Sequence, residues 1–186
     1  MADGTLKVGT ITTSSGSGTI TLGQSGETIS IPSGATLDLS NATQTGVGGV
    51  MTPIFRATIN GTQQVPNATY TKIEFDTEIF DPQSTFDTSN YRFTPAVAGY
   101  YFICARIRSA SDNDFGYFGC NIYKNGSEIS SENNAHFHFD SVSTSIIDLA
   151  DDNDYYEVYT YHNEGGGMNY SNGTAAMQFF AYKLIT

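Results

Sequence analysis

The densest group of potential metal ligands in the sequence is the acidic run Asp148-Leu149-Ala150-Asp151-Asp152-Asn153-Asp154. Calcium is a hard cation that collects carboxylate and carbonyl oxygens, so Asp151, Asp152 and Asp154 form a candidate calcium site. The run lacks the glycine and the distant glutamate of an EF-hand loop, and a solvated β-turn is the competing reading. Asp112-Asn113-Asp114 repeats the pattern more weakly. His136-Phe137-His138 sets two imidazoles on one strand face, and such pairs grouped about a threefold axis would offer nitrogen ligands to a transition metal. The plainer account is exposed or interface histidines with Phe137 and Phe139 packed inward. No cofactor other than calcium is suggested.

Nucleophilic catalysis finds little support. Three His are present, without a Gly-x-Ser-x-Gly elbow or a Cys-His arrangement, and carboxylate pairs of the glycosidase kind leave no local trace in a sequence. Cys104 and Cys120 are expected on neighbouring long strands, where they would pair or remain as buried thiols; buried thiols are the expectation. Six Asn-x-Ser/Thr sequons, at Asn41, Asn60, Asn67, Asn125, Asn169 and Asn172, read as accidental because three of them overlap Asn-Gly turns. The tyrosine-rich stretch Tyr155-Tyr156-Glu157-Val158-Tyr159-Thr160-Tyr161 suits either sugar stacking or a subunit interface, since both uses favour large rings with one polar end.

The elements that must position these residues are strands. Gly 19, Tyr 12 and Phe 12 in 186 residues, with many Thr and Ser, favour pleated structure and turns. No window free of Gly and Pro sustains a 3.6-residue period. Nineteen Asp plus Glu against eight Lys plus Arg give a net charge of -11, which disfavours nucleic acid. No apolar run reaches the ~18 residues of a membrane span, and the first residues lack the basic start and apolar core of an export signal.

Two modules of unlike composition follow one another. All 24 Phe and Tyr lie at or after Phe55, whereas ten of the nineteen Gly fall within the first 50 residues. Residues 1–50 carry a repeat: Thr19-Ile20-Thr21-Leu22, Thr28-Ile29-Ser30-Ile31, Thr36-Leu37-Asp38-Leu39. Apolar pairs return after nine and then eight residues, each read as a short strand and a glycine turn. A rung of that length supplies about a third of a circuit around a core, so three chains are needed to close a layer. The expectation is an intertwined trimeric β-prism or β-helix stem over residues ~5–40, with Asn41 to Val50 as a hinge. Residues 51–186 read as many short strands: Ile54–Ile59, Tyr70–Phe75, Tyr91–Phe93, Tyr100–Arg108, Phe115–Lys124, Ala135–Phe139, Val142–Leu149, Tyr155–His162 and Ala175–Ile185. Asn125-Gly126 is a strong hairpin signal. A two-sheet jelly-roll sandwich accounts for this pattern.

Phe75, Asp81, Phe86, Phe93, Gly99 and Tyr101 fall at the spacings of a known signature. In that respect residues ~53–186 resemble the complement component 1q-type head, a branch of the tumour-necrosis-factor-like jelly rolls. Ile103 and Ala105 stand where the signature has two further aromatics. Phe55-Arg56-Ala57, Tyr123-Lys124-Asn125-Gly126 and Phe179 to Ile185 resemble the opening strand, middle hairpin and closing strand of that family. The resemblance implies a compact homotrimer, in agreement with the three chains that the stem requires.

A Thr/Ser/Gly repeat followed by such a head resembles bacteriophage tail fibres and head-decoration proteins. The expected function is therefore a non-enzymatic trimeric virion-surface protein, a capsid decoration (cement) protein or a small tail-fibre tip, made in the host cytoplasm. Its partners would be itself, other virion structural proteins and a host cell-surface glycan or protein, without nucleic acid or membrane insertion. Ligand contacts are expected on loops near Asp112–Phe115, Asp151–Asp154 and Asn163–Asn172. The alternatives are a carbohydrate-binding or carbohydrate-active spike and a secreted ligand of the same family.

Overall fold

The computed structural model describes residues 9–11, 19, 21–38, 51–110, 116–134, 141–170, 173 and 175–184. The chain divides into two units, Met1–Val47 and Gly48–Thr186.

In the first unit the described residues form turns and no strand. The backbone closes at Gln24–Glu27, where the Glu27 N–H donates to the Gln24 carbonyl, and again at Pro32–Ala35. Each turn has glycine at its third position, Gly26 at φ 89° and Gly34 at φ 83°, a conformation that type II turns require there. Among the described residues of a single chain the repeat is thus a repeat of turns. Ile11, Leu22, Ile29, Ile31 and Leu37 are all exposed, because no element of this unit's described residues packs on them.

The second unit is built of thirteen strands. In order they are β1 Ile54–Thr58, β2 Gln64–Val65, β3 Thr71–Lys72, β4 Thr77–Phe80, β5 Phe86–Asp87, β6 Arg92–Phe93 and β7 Gly99–Arg108. They continue with β8 Phe118–Lys124, β9 Ser127–Asn134, β10 Ser141–Ala150, β11 Tyr156–His162, β12 Met168–Asn169 and β13 Gln178–Lys183. One sheet has the order β10-β7-β13-β1-β4 and the other β5-β6-β11-β8-β9, with β3 also on β11; β2 and β12 form a separate pair. The expected strand Ala135–Phe139 lies outside the described residues.

Alternation decides which side chains meet between the sheets. Along β7, Tyr101, Ile103, Ala105 and Ile107 are fully buried, while Tyr100, Arg106 and Arg108 are exposed. Phe179 and Ala181 of β13, Phe55 and Ala57 of β1, and Phe118, Cys120 and Ile122 of β8 complete the same core. Ile103 and Ala105, the two departures from the aromatic signature, are core residues of smaller size in the same cluster as Phe55 and Phe93.

The hairpin β8–β9 turns on Asn125 at φ 51° and Gly126 at φ 79°. Two successive positive φ values match the right-handed twist of the flanking strands. The chain leaves β7 in one sheet and enters β8 in the other, so Cys104 and Cys120 lie on opposing sheets rather than on neighbouring strands of one. Both are free thiols, with Cys120 in the core and Cys104 half-buried on the outward side of β7.

Candidate functional site

The signature residues converge on the core rather than on a ligand. Phe55 stacks on Phe86 and Phe93 at centroid distances of 4.9 and 4.6 Å and meets the edge of Phe179 at 5.0 Å. Phe75 reaches Phe179, and Phe93 reaches Tyr101, at 5.6 and 5.7 Å. Asp81 organises the turn before β5: its Oδ2 accepts the Phe86 N–H at 2.7 Å and its Oδ1 the Thr85 hydroxyl at 3.1 Å. Phe86 is thereby aimed into the core. Gly99 begins β7 at φ 146°, in a region that L side chains rarely adopt. The Tyr101 hydroxyl donates to the Val97 carbonyl at 2.7 Å, and burial pushes its pKa up to about 12. The spacing of the signature is a spacing of packing partners.

The acidic run lies at the β10–β11 turn, where its members have separate roles. Asp151 and Asp152 are exposed, whereas Asp154 is buried. Asp154 accepts the Asp151 N–H at 2.8 Å and the Asn125 amide at 2.6 Å, and lies 3.0 Å from Lys124 Nζ. Lys124 also reaches Asp148 Oδ2 at 2.8 Å and the Leu149 carbonyl at 2.7 Å, and Asp148 accepts the Tyr156 hydroxyl at 2.6 Å. Of the three carboxylates proposed for calcium, that of Asp154 faces a lysine and amide donors, which tie the turn to the β8–β9 hairpin. Among the described residues no three of His, Cys, Asp and Glu are grouped to hold a metal ion. His136, His138, Asp112 and Asp114 lie outside the described residues.

Burial acts against the charge of Asp154, but the Asp151 N–H, the Asn125 amide and Lys124 outweigh it and hold its pKa below the ordinary aspartate value. A carboxyl group depressed in the folded state adds stability above its unfolded pKa and loses it as pH falls through the folded one. Asp154→Asn should therefore lower the melting temperature at pH 7, equivalent to about 1–2 kcal/mol. It should also flatten the loss of stability below about pH 4. Thermal melts of both proteins across pH 2–7 check this expectation.

Two outward faces remain. On the five-stranded sheet, register places Ile147, Phe102, Tyr182 and Ile54 side by side across β10, β7, β13 and β1. Leu149 and Tyr100 form the adjoining row. Ile147 is 60% exposed, Leu149 56% and Tyr100 45%. A shallow cavity of about 300 Å³ opens on the same face, lined by Ile54, Arg56, Phe80, Phe180 and Tyr182 among others. This is a broad apolar surface on a chain with a net charge of -11.

The outward face of the six-stranded sheet is chemically different. Tyr159 and Tyr161 of β11, Tyr123 of β8, Tyr117 and Tyr70 lie over it as one layer. Tyr123 and Tyr159 are 4.4 Å apart, Tyr70 and Tyr161 4.9 Å, and Tyr117 meets Tyr161 edge-on at 5.5 Å. Glu157, almost fully buried, takes both neighbouring cations, Lys72 at 3.1 Å and Arg92 at 2.9 Å. Burial, followed by nearby carboxylates and hydroxyls, holds Tyr117, Tyr123 and Tyr159 above the ordinary tyrosine pKa, so these three rings carry neutral hydroxyls. The sequence run from Tyr155 to Tyr161 shows only part of this layer; Tyr156 of that run points into the core. Tyr70, Tyr117 and Tyr123 are missed because nothing local links them to β11.

No protein-family model matches the sequence, and no curated protein matches it. Solved structures do. Murine APRIL superposes with a TM-score of 0.57 at 10% identity, covering 70% of this chain and 98% of that one. The Eiger TNF of S. frugiperda gives 0.55 at 10% identity over 70% and 91% of the two chains. The globular domain of zebrafish complement 1qA gives 0.54 at 15% identity over 71% and 96%. The head has the jelly-roll fold of these proteins. The tumour-necrosis-factor-like jelly roll, which residues Phe75 to Tyr101 resemble in spacing, is thus the architecture that the second unit adopts. At this level of identity the likeness concerns the fold.

Proposed function

We propose that the chain is a non-enzymatic homotrimeric protein of a bacteriophage virion surface, either a capsid decoration protein or a small tail-fibre tip, made in the host cytoplasm. Residues 1–50 act as its trimerisation and anchoring stem and residues 51–186 as the displayed head. The observation that carries this reading is the apolar outward face of the five-stranded sheet. Ile147, Leu149 and Tyr100 are exposed beside the half-buried Phe102, Tyr182 and Ile54, an apolar surface that is costly in water and that two further copies of the chain would cover. The first unit has the same need: Leu22, Ile29, Ile31 and Leu37 are exposed in one chain and are spaced for a layer shared by three. A head of this fold on a Thr/Ser/Gly repeat matches the plan of phage fibres and decoration proteins.

A non-enzymatic role accords with the state of the reactive groups. Burial raises the pKa of both thiols, Cys104 and Cys120, which keeps them protonated and weakly nucleophilic. His162 is fully buried, with Nε2 at 3.1 Å from the Val65 carbonyl and Nδ1 at 3.5 Å from the Glu164 N–H. It is placed to brace β11 against β2.

The expected result in solution is a species of three times 20.1 kDa at micromolar concentration. Antibody labelling of purified phage particles should mark the head or the tail tip at threefold-related copies. A single-chain mass, or particles that carry none of the protein, overturns the proposal.

A further inference from the structure

We propose that the tyrosine layer on the six-stranded sheet is a binding platform for a neutral hexopyranose polysaccharide, stacked on Tyr70, Tyr123, Tyr159 and Tyr161 and hydrogen-bonded by Asn121 and Glu128. The inference deepens the reading of the chain as a displayed surface protein and rests on it in one respect: the trimer covers the opposite sheet, which leaves this face free.

Side-chain identity on this face carries the argument. Outward positions are Gly119, Asn121 and Tyr123 on β8, Glu157, Tyr159 and Tyr161 on β11, and Lys72 on β3. No aliphatic side chain is among them. Sugar rings have apolar C–H faces and a rim of hydroxyls, which pair with aromatic faces and with carboxylate or amide groups respectively. Tyrosine rings also anchor protein partners, but the centre of such an interface is more apolar and poor in charge, whereas these rings are set among Asn121, Glu157 and Lys72.

Asn121 is the second, independent observation. It is only 2% exposed, and its Nδ2 donates to Glu128 Oε2 at 3.0 Å, which fixes the amide orientation. Its Oδ1 has no hydrogen-bond partner. That oxygen lies beneath the layer, over Gly119: a Cβ at residue 119 would stand 3.5 Å from it and 3.0 Å from the Tyr117 ring. Buried acceptors are normally satisfied, and an unsatisfied one under a set of aromatic rings points to a donor that arrives with a ligand. A sugar hydroxyl is such a donor once Tyr117 swings off Gly119. Glu128 is exposed and presents a carboxylate beside the same amide.

Charge selects among sugars. Lys72 and Arg92 are the cations of this face among the described residues, and both are bound to Glu157. With no uncommitted cation here and a chain charge of -11, an anionic glycan is repelled and a neutral one is accepted.

The chain has no Trp, so its intrinsic emission is that of tyrosine and five of its twelve Tyr lie in the layer. The full chain is screened on an array of neutral glucose, galactose, mannose and N-acetylglucosamine oligosaccharides, with polygalacturonate as the anionic control. Hits are titrated by tyrosine fluorescence. At least one neutral oligosaccharide should give saturable binding with Kd of about 0.1–1 mM. Tyr70→Ala, at a side chain 51% exposed, should weaken it at least about tenfold with the melting profile retained. Tyr159→Ala should do the same, and Tyr100→Ala on the opposite sheet should leave it unchanged. No neutral hit up to about 10 mM, binding of polygalacturonate alone, or full affinity in Tyr70→Ala overturns the platform. A trimer that binds no sugar refutes this inference and leaves the proposed function standing; a monomer that binds sugar does the reverse.

Discussion

In the head alone, residues 51–186, replacing Ile147 and Leu149 together by Asp should convert the proposed trimer into folded single chains. Both side chains project from β10 away from the core, at 60% and 56% exposure, so the head loses none of its own packing. Their neighbours by register are Phe102 and Tyr100 of β7, and the row continues through Tyr182 to Ile54. In a trimer closed over this sheet, both positions are removed from water. Burying such a side chain contributes about 1.5–3 kcal/mol, and a carboxylate in its place costs several more unless it finds a partner. Even at about 3 kcal/mol for each substituted side chain, the penalty recurs in all three copies and raises the dissociation constant by many orders of magnitude. Sedimentation at micromolar concentration should therefore show one chain mass, with circular dichroism and the head's melting profile still those of a β protein. A variant head that keeps the wild-type trimer mass would show that this face is not the one the chains share; trimer mass kept only by the full chain would place the remaining association in residues 1–50.

The two outward faces were unequally legible in the sequence, for a physical reason. Strands that bury one side announce themselves by alternation: β1, β3, β6, β8, β11 and β13 fall within segments read as strands, β7 begins one residue before its segment, and β10 exceeds its own by one residue at each end. Asn125-Gly126 was legible because only a few residue types tolerate two successive positive φ values. The pairs β2, β5 and β12 are two residues long, too short for any period to register. β9, Ser-Glu-Ile-Ser-Ser-Glu-Asn-Asn, is an edge strand with little to bury, so only its turn was visible. Cys104 and Cys120 do not sit on neighbouring strands because the chain crosses from one sheet to the other between β7 and β8. Asp154 was singled out as a calcium ligand from its acidic neighbours; its actual partner Lys124 is on β8, thirty residues earlier in the chain. Glu157 makes the same point, since Lys72 and Arg92 reach it from 85 and 65 residues away. Local pattern reports burial, and it does not report which distant charges arrive at one place.

The signature residues allow a sharper test of what the spacing encodes. If Phe75, Phe86, Phe93 and Tyr101 are spaced to pack, their effect should depend on the ring at their centre, and that ring is Phe55. It is fully buried and contacts Phe86, Phe93 and Phe179, one neighbour from each of three strands, β5, β6 and β13. β5 and β6 belong to one sheet and β13 to the other, so Phe55 joins the two layers. Phe55→Ala removes the stacked pairs and leaves a cavity that rigid strands on both sides cannot close. The cost expected for a buried Phe→Ala change is about 3–5 kcal/mol. For a domain of this size that should lower the melting temperature by roughly 6–20 °C. Phe55→Leu keeps most of the apolar volume and should lose less than half as much. Thermal unfolding of the two variants gives the comparison directly, with trimer mass as the second readout. A drop confined to trimer mass, with the head's melting unchanged, would mean that the aromatic cluster serves assembly rather than the fold. Equal losses for Ala and Leu would instead show that the flat, stacked geometry of the rings carries the energy, beyond the apolar area they bury.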